Sequence, residues 1–125
     1  MEALVMKFKY DKQRKLLFFI NSLFPVKGYQ YMNICGILFT RNESAIDRMT
    51  DSTVRHEVTH TKQIIEMGII FYYLWYVIEW LIRLLIMADS HKAYRAISFE
   101  KESRAAGADP NYNRKVFQYR WINYL

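Results

Sequence analysis

Cysteine is almost absent: Cys35 stands alone among 125 residues. No internal disulfide can form, and the second thiolate of a redox pair or a Cys-type zinc site is missing. An oxidising compartment is therefore not required. Within Asn33-Ile34-Cys35-Gly36-Ile37 the lone thiol is expected as a small buried hydrophobe. No repeat, low-complexity tract or obvious linker divides the chain. No recognised nucleic-acid motif is present and the basic residues are dispersed, so no specific nucleic-acid partner is expected.

Apolar residues, by contrast, are plentiful: 52% of the chain is hydrophobic and 17% aromatic. Disordered chains carry few aromatics, so a packed or membrane-contacting fold is expected. The length suits one domain, residues 1–125, with a single modest core. A formal charge of +6 favours phosphate backbones, anionic lipid or acidic peptides without choosing among them. A soluble basic protein with no special partner fits equally. Near the start, Lys7, Lys9, Lys12, Arg14 and Lys15 precede the apolar run Leu16–Ile20, a layout shared with signal peptides. Asn21 and Ser22 break that run, and no small-x-small cleavage site follows. The segment is read as part of the folded protein, and the chain as cytoplasmic.

Hydrophobic patterning and turn residues divide the chain into elements. A strand is expected over 3–9 and a short helix over 12–24, ending before Pro25. Lys27-Gly28 marks a turn. Residues 29–33 and 36–40 read as two strands, and Arg41-Asn42-Glu43-Ser44 as a polar turn. Asp51 or Ser52 is placed to cap a helix over 53–67, which Gly68 ends or bends. A strongly apolar helix follows over 69–88. Asp89 and Ser90 offer a cap for a helix over 91–106 that Gly107 stops. After a turn at Asp109-Pro110-Asn111, residues 112–124 are expected as a last helix with Val116, Phe117, Trp121 and Leu125 along one side. The fold class is α+β, mainly helical, with a small sheet before the first strong helix and about three helices after it.

The informative residues are His56-Glu57-Val58-Thr59-His60. Positions i and i+4 share a helical face, so both imidazoles can reach one ion. Glu57 is rotated by about a quarter turn from His56, beside the ion and not on it. That suits a catalytic base that takes a proton from zinc-bound water, whose pKa the metal lowers to about 7. Shuffling this composition would produce HExxH on the order of a few times per thousand, which disfavours coincidence. A pair of surface histidines is the plain alternative. Glu57-x-x-His60 also matches half of a carboxylate-bridged di-iron site, but no second Glu-x-x-His exists in the chain.

A catalytic zinc site needs a third protein ligand and an open position. The candidates are Glu66, Glu79, Asp89, His91, Glu100 and Glu102. Glu66 follows His60 by only six residues on the same helix and points elsewhere. Glu79 has Arg83 four residues later, a common helical ion pair. Glu100 is chosen because its helical neighbours Ala93, Ala96, Ile97 and Ser103 are small or apolar, so it faces inward and needs a partner, which a cation would supply; a plain salt bridge is the alternative. Glu102, flanked by Arg95, Ser98 and Phe99, is expected to be more exposed. To stabilise an oxyanion, His91, Tyr112, Tyr119 and Arg120 are available, and nothing in the sequence selects one.

The arrangement resembles the gluzincin metallopeptidases, which place HExxH on one helix and a glutamate ligand on a later one. In the membrane-linked branch related to the CAAX-processing peptidases the later motif reads F-E-x-x-A-D. Here the stretch is Phe99-Glu100-Lys101-Glu102-Ser103-Arg104, with Arg104 where that family has an acidic residue. The whole chain is also similar to a group of short bacterial proteins, frequent in Bacteroidetes, in which HExxHxxQ is followed by an aromatic helix and an F-E-x-E stretch; Gln63 and residues 69–102 fit that pattern. The resemblance implies a zincin-like domain, with zinc on His56, His60 and Glu100, Glu57 as general base, and a peptide or protein substrate.

Residues 69–88 are long enough to cross a bilayer, yet Glu79 and Arg83 lie within them. A central core helix is the favoured reading. Membrane association is the other, since Tyr72, Tyr73, Trp75, Tyr76 and Trp80 would suit an interface. The first expectation for function is therefore a zinc-dependent peptidase. Its alternatives are a zinc-binding structural or membrane-associated module that cleaves nothing, and a basic adaptor for nucleic acid or membrane. The sequence leaves the oligomeric state open.

Overall fold

The computed structural model describes residues 6–25 and 29–125. It is α+β and mainly helical, with a small mixed sheet of four strands preceding the helices. Strands β1 (Met6–Asp11) and β2 (Leu16–Asn21) form an antiparallel hairpin. Asp11 Oδ1 closes its turn by accepting from the backbone N–H groups of Gln13 and Arg14, both at 3.0 Å. Strands β3 (Met32–Ile34) and β4 (Ile37–Thr40) form a second hairpin, and β4 lies parallel to β2, giving the order β1-β2-β4-β3.

The helix expected over 12–24 is instead a turn and β2. A continuous apolar run does not distinguish helix from strand by periodicity. Here burial alternates, with Leu16, Phe18 and Ile20 buried against the helices. Met6, the first described residue, already lies in β1; residues 3–5 of the expectation lie outside the described residues, as does the Lys27-Gly28 turn. Residues 29–31 do not join the sheet. Cys35 is not buried: it sits exposed in the β3–β4 turn at φ 56°, followed by Gly36 at φ 85°. Such a two-residue turn needs positive φ at both positions.

A short helix, α1 (Ser44–Asp47), replaces the end of the expected polar turn. Helix α2 (Asp51–Met67) is capped by Thr50, one residue before the expected Asp51, through Thr53 N–H donating to Thr50 Oγ1 at 3.2 Å. Gly68, at φ 78°, ends it and opens α3 (Ile69–Met87). Asp89 caps α4 (Ser90–Ala96), accepting from the N–H groups of His91 and Lys92.

The single helix expected over 91–106 is divided at Ile97, whose backbone is extended (ψ 133°), and α5 runs Ser98–Ala108. The Glu79 carboxylate of α3 causes the break. It accepts from Ser98 N–H at 2.8 Å and Ser98 Oγ at 2.6 Å, so it caps α5 from another helix. Gly107 does not stop α5 but lies inside it. A Cβ there would stand 3.1 Å from Ser52 O and 3.6 Å from His56 Cβ, so glycine is what lets α5 approach α2. Residues 112–124 are not an α-helix; a loop with Phe117 and Tyr119 at positive φ leads into a 3-10 helix over Arg120–Tyr124. Of the expected apolar face, Trp121 is buried while Phe117 and Leu125 are exposed.

Two apolar clusters flank α2. Leu16, Phe18, Ile20, Leu38, Ile46 and Met49 pack with Val54 and Val58 on the sheet side. Ile64, Tyr72, Ile97, Phe99 and Trp121 pack on the other. α3 is not the core helix expected: only Tyr72 and Glu79 are buried, and its hydrophobic outer face is exposed.

Candidate metal centre

One turn of α2 separates His56 from His60, and their ring centroids lie 4.9 Å apart. Helix α5 packs across this face and delivers Glu100. Glu100 Oε2 is 3.2 Å from His60 Nε2 and 3.7 Å from His56 Nε2. One ligand atom from each of the three residues falls within 4.8 Å of the others, so the group can hold a metal ion. Two imidazoles and a carboxylate are one of the donor sets used by catalytic zinc.

The His60 ring is held by its neighbours. Gln63 Nε2 donates to Phe99 O and to Glu102 Oε1, both at 3.0 Å, which fixes the amide so that Oε1 faces His60 Nδ1, also at 3.0 Å. An amide oxygen only accepts, so Nδ1 carries hydrogen and Nε2 is the nitrogen available to a metal. The Tyr72 hydroxyl adds a contact to Nδ1 at 3.3 Å. Tyr76 Oη donates to Glu100 Oε1 at 2.8 Å, leaving Oε2 for the histidines.

Behind Gln63 lies a buried ionic cluster. Arg114, 1% exposed, donates Nη1 and Nη2 to the two oxygens of Glu66 at 2.9 and 2.7 Å, and Nε to Glu102 Oε2 at 3.0 Å. Tyr112 Oη donates to Glu102 Oε2 at 2.6 Å. Glu102 is thus fully buried, against the expectation of exposure, because a guanidinium from the closing loop neutralises it.

Charge follows from this packing. Burial, then the neighbouring His60, lowers the His56 pKa to about 4, so that ring is neutral at pH 7. Burial also opposes charge on His60, but the adjacent Glu100 carboxylate more than offsets it and lifts the pKa to about 9. Glu100 is desolvated too, yet the His60 charge brings it down to about 2. Glu57 is raised, chiefly by burial, and its Oε2 is buried with no hydrogen-bond partner among the described residues. A buried carboxylate oxygen with nothing to accept from, in a group that feels the charges of His60 and Glu100, is poised to take a proton.

The other candidates for third ligand are committed elsewhere. Glu66 holds Arg114, Glu79 caps α5 and reaches Arg83 at 3.5 Å, Glu102 locks Gln63, Asp89 caps α4, and His91 is exposed. Of the residues considered for an oxyanion, Tyr112 serves Glu102, the Tyr119 hydroxyl faces Glu66 O at 3.5 Å, and Arg120 stacks on Tyr112. The hydroxyls beside the cluster are Tyr72, Tyr76 and Tyr94. Tyr72 and Tyr76, four residues apart on an apolar helix, carried a readable signal: they share one face, and a buried phenol needs a partner. Comparison with protein-family models, with curated proteins and with solved structures found no match to this chain.

Proposed function

We propose that this protein is a zinc-dependent metallopeptidase of zincin-like build. The observation that carries the reading is the conjunction at one spot of the His56–His60–Glu100 ligand group and the unpartnered, buried Oε2 of Glu57. His56 Nε2, His60 Nε2 and Glu100 Oε2 would hold the ion. Bound there, zinc would act as a Lewis acid toward a peptide carbonyl and acidify a water. Glu57, its proton affinity raised by burial, would take that proton and pass it to the leaving amine. The small sheet ahead of α2 and the glutamate on a later helix support the gluzincin resemblance.

A zinc site that serves structure alone has no use for a buried carboxylate oxygen left without a partner near its ligands, and Oε2 of Glu57 favours catalysis over that reading. Metal content by mass spectrometry, paired with cleavage of a peptide library, tests the proposal. Wild type should hold about one zinc, lost in His60→Ala. Glu57→Gln should keep the metal and lose cleavage by ~10²–10⁴-fold, the usual contribution of a general base. Wild type that takes up no zinc after reconstitution would overturn the metal reading. Zinc-loaded wild type no faster than Glu57→Gln would overturn the catalytic one.

A further inference from the structure

Helix α3 carries the largest apolar exposure of any helix among the described residues. At 100° per residue, Ile70, Leu74, Val77, Ile78, Leu81 and Leu85 fall on one arc, and Phe71 and Ile82 widen it to roughly two fifths of the helix circumference. Leu85 is 86% and Ile70 79% exposed. Soluble monomers rarely leave a contiguous apolar face of that extent. Both charges of α3 are kept off it. Glu79 is turned inward to cap α5, and Arg83 reaches back to Glu79 at 3.5 Å.

The geometry points to an anionic lipid bilayer as what covers this face, with α3 lying in the plane of the interface. The helix is long and apolar enough to cross a membrane. Its neighbour α4, however, packs beside its C-terminal end carrying exposed His91, Lys92 and Arg95, and a full span would carry those charges toward hydrocarbon. An in-plane pose leaves them at headgroup level. Lys92 and Arg95 line a shallow groove with Met87 and Ala96 beside the C-terminal end of α3, within reach of phosphate oxygens at headgroup level. The net charge of +6 has the sign that anionic lipid selects. A second copy of the chain fits less well, because a helix pair needs only a narrow a/d seam and would leave the flanks of this arc bare. Tyr72 and Tyr76 project from the opposite side toward His60 and Glu100, so the metal-ligand cluster faces away from the lipid. This inference stands whether or not the protein is a peptidase.

Flotation with vesicles tests it, using phosphatidylcholine alone and a mixture with phosphatidylglycerol. Wild type should float with the mixture, and Ile78→Glu/Leu85→Glu should reduce the bound fraction at least tenfold with zinc content unchanged. Lys92→Gln/Arg95→Gln should weaken the preference for the anionic mixture. In wild type, brominated acyl chains should quench part of the tryptophan fluorescence, through Trp75, which is 39% exposed although its indole packs on Trp121 and donates to Glu79; this measurement needs no variant to fold. Wild type that neither floats nor is quenched overturns the proposal. Flotation unaffected by the double glutamate change also overturns it, and equal flotation with phosphatidylcholine alone overturns its anionic component. A dimer that the same change dissociates, without vesicle binding, assigns the face to a second copy.

Discussion

Gln63 governs the orientation of His60, and its own amide is locked by Phe99 O and Glu102. Gln63→Leu should leave the ligands in place but free the His60 ring, lowering zinc affinity by ~10–100-fold, the usual effect of losing an outer partner of a metal-bound histidine. Competition with a chromophoric chelator would measure it, and unchanged affinity would remove Gln63 from the site. Proton linkage gives a second expectation. In the metal-free protein His60 keeps its Nε2 proton up to about pH 9 while His56 is neutral above about pH 4. Zinc must displace that proton, so affinity should rise about tenfold per pH unit between those limits and level off above the upper one. Calorimetry at pH 7 in buffers of different ionisation enthalpy should show about one proton released per zinc; none released would mean His60 is already neutral. HExxH spacing and the small neighbours of Glu100 made the meeting of His56, His60 and Glu100 legible in the sequence. Glu102 was not legible, because its neutralising partner Arg114 lies in a segment whose apolar spacing imitates a helix.

Among the elements, α2 and α3 could be read to within a few residues, since each has a long periodic run and a glycine at the junction. One failure, β2, came from an apolar run whose periodicity does not tell strand from helix; another came where a side chain from elsewhere bears on the backbone. Ile97 is extended because Glu79 occupies the Ser98 N–H, and no local pattern encodes that capture. Glu79→Ala should expose the start of α5 and cost ~1–2 kcal/mol, as for loss of a helix cap. Gly107 illustrates the same limit. Near a helix end it reads as a stop signal, yet its role is close packing of α5 on α2. Elsewhere in a helix Gly→Ala stabilises by ~1 kcal/mol. Here Gly107→Ala should destabilise by ~1–3 kcal/mol through overpacking against Ser52 O. It should also weaken zinc binding, because α5 carries Glu100. Thermal melts with and without zinc check both effects, and a variant as stable as wild type would show that the contact can relax.

For the whole molecule, charge and composition allowed either a soluble or a membrane-contacting protein, and the choice rests on how α3 is packed. Its apolar run was legible, but hydropathy does not tell a helix buried by its own domain from one left bare; the positions of α4 and α5 decide that. The same architecture sets what metal removal should do. Zinc would join α2 to α5, which already meet through Arg55 donating to Ala106 O and Gly107 O and through the buried Arg114 cluster. Two apolar clusters stand without the ion. The metal-free protein should therefore stay folded, unlike a small module whose fold is made by zinc. Free zinc at a thousandfold excess over Kd stabilises by ~4 kcal/mol. For a domain of this length each kcal/mol is worth roughly 3–6 °C, so chelation should lower Tm by ~12–24 °C without abolishing the transition. Hydrogen exchange should localise the loss: α2 and α5 gain exchange, while β2 and β4, shielded by the sheet-side cluster, do not. A chain that unfolds completely on chelation would instead mean that the His56–His60–Glu100 group exists to hold the helices together, and the case for Glu57 as a base would fall with it.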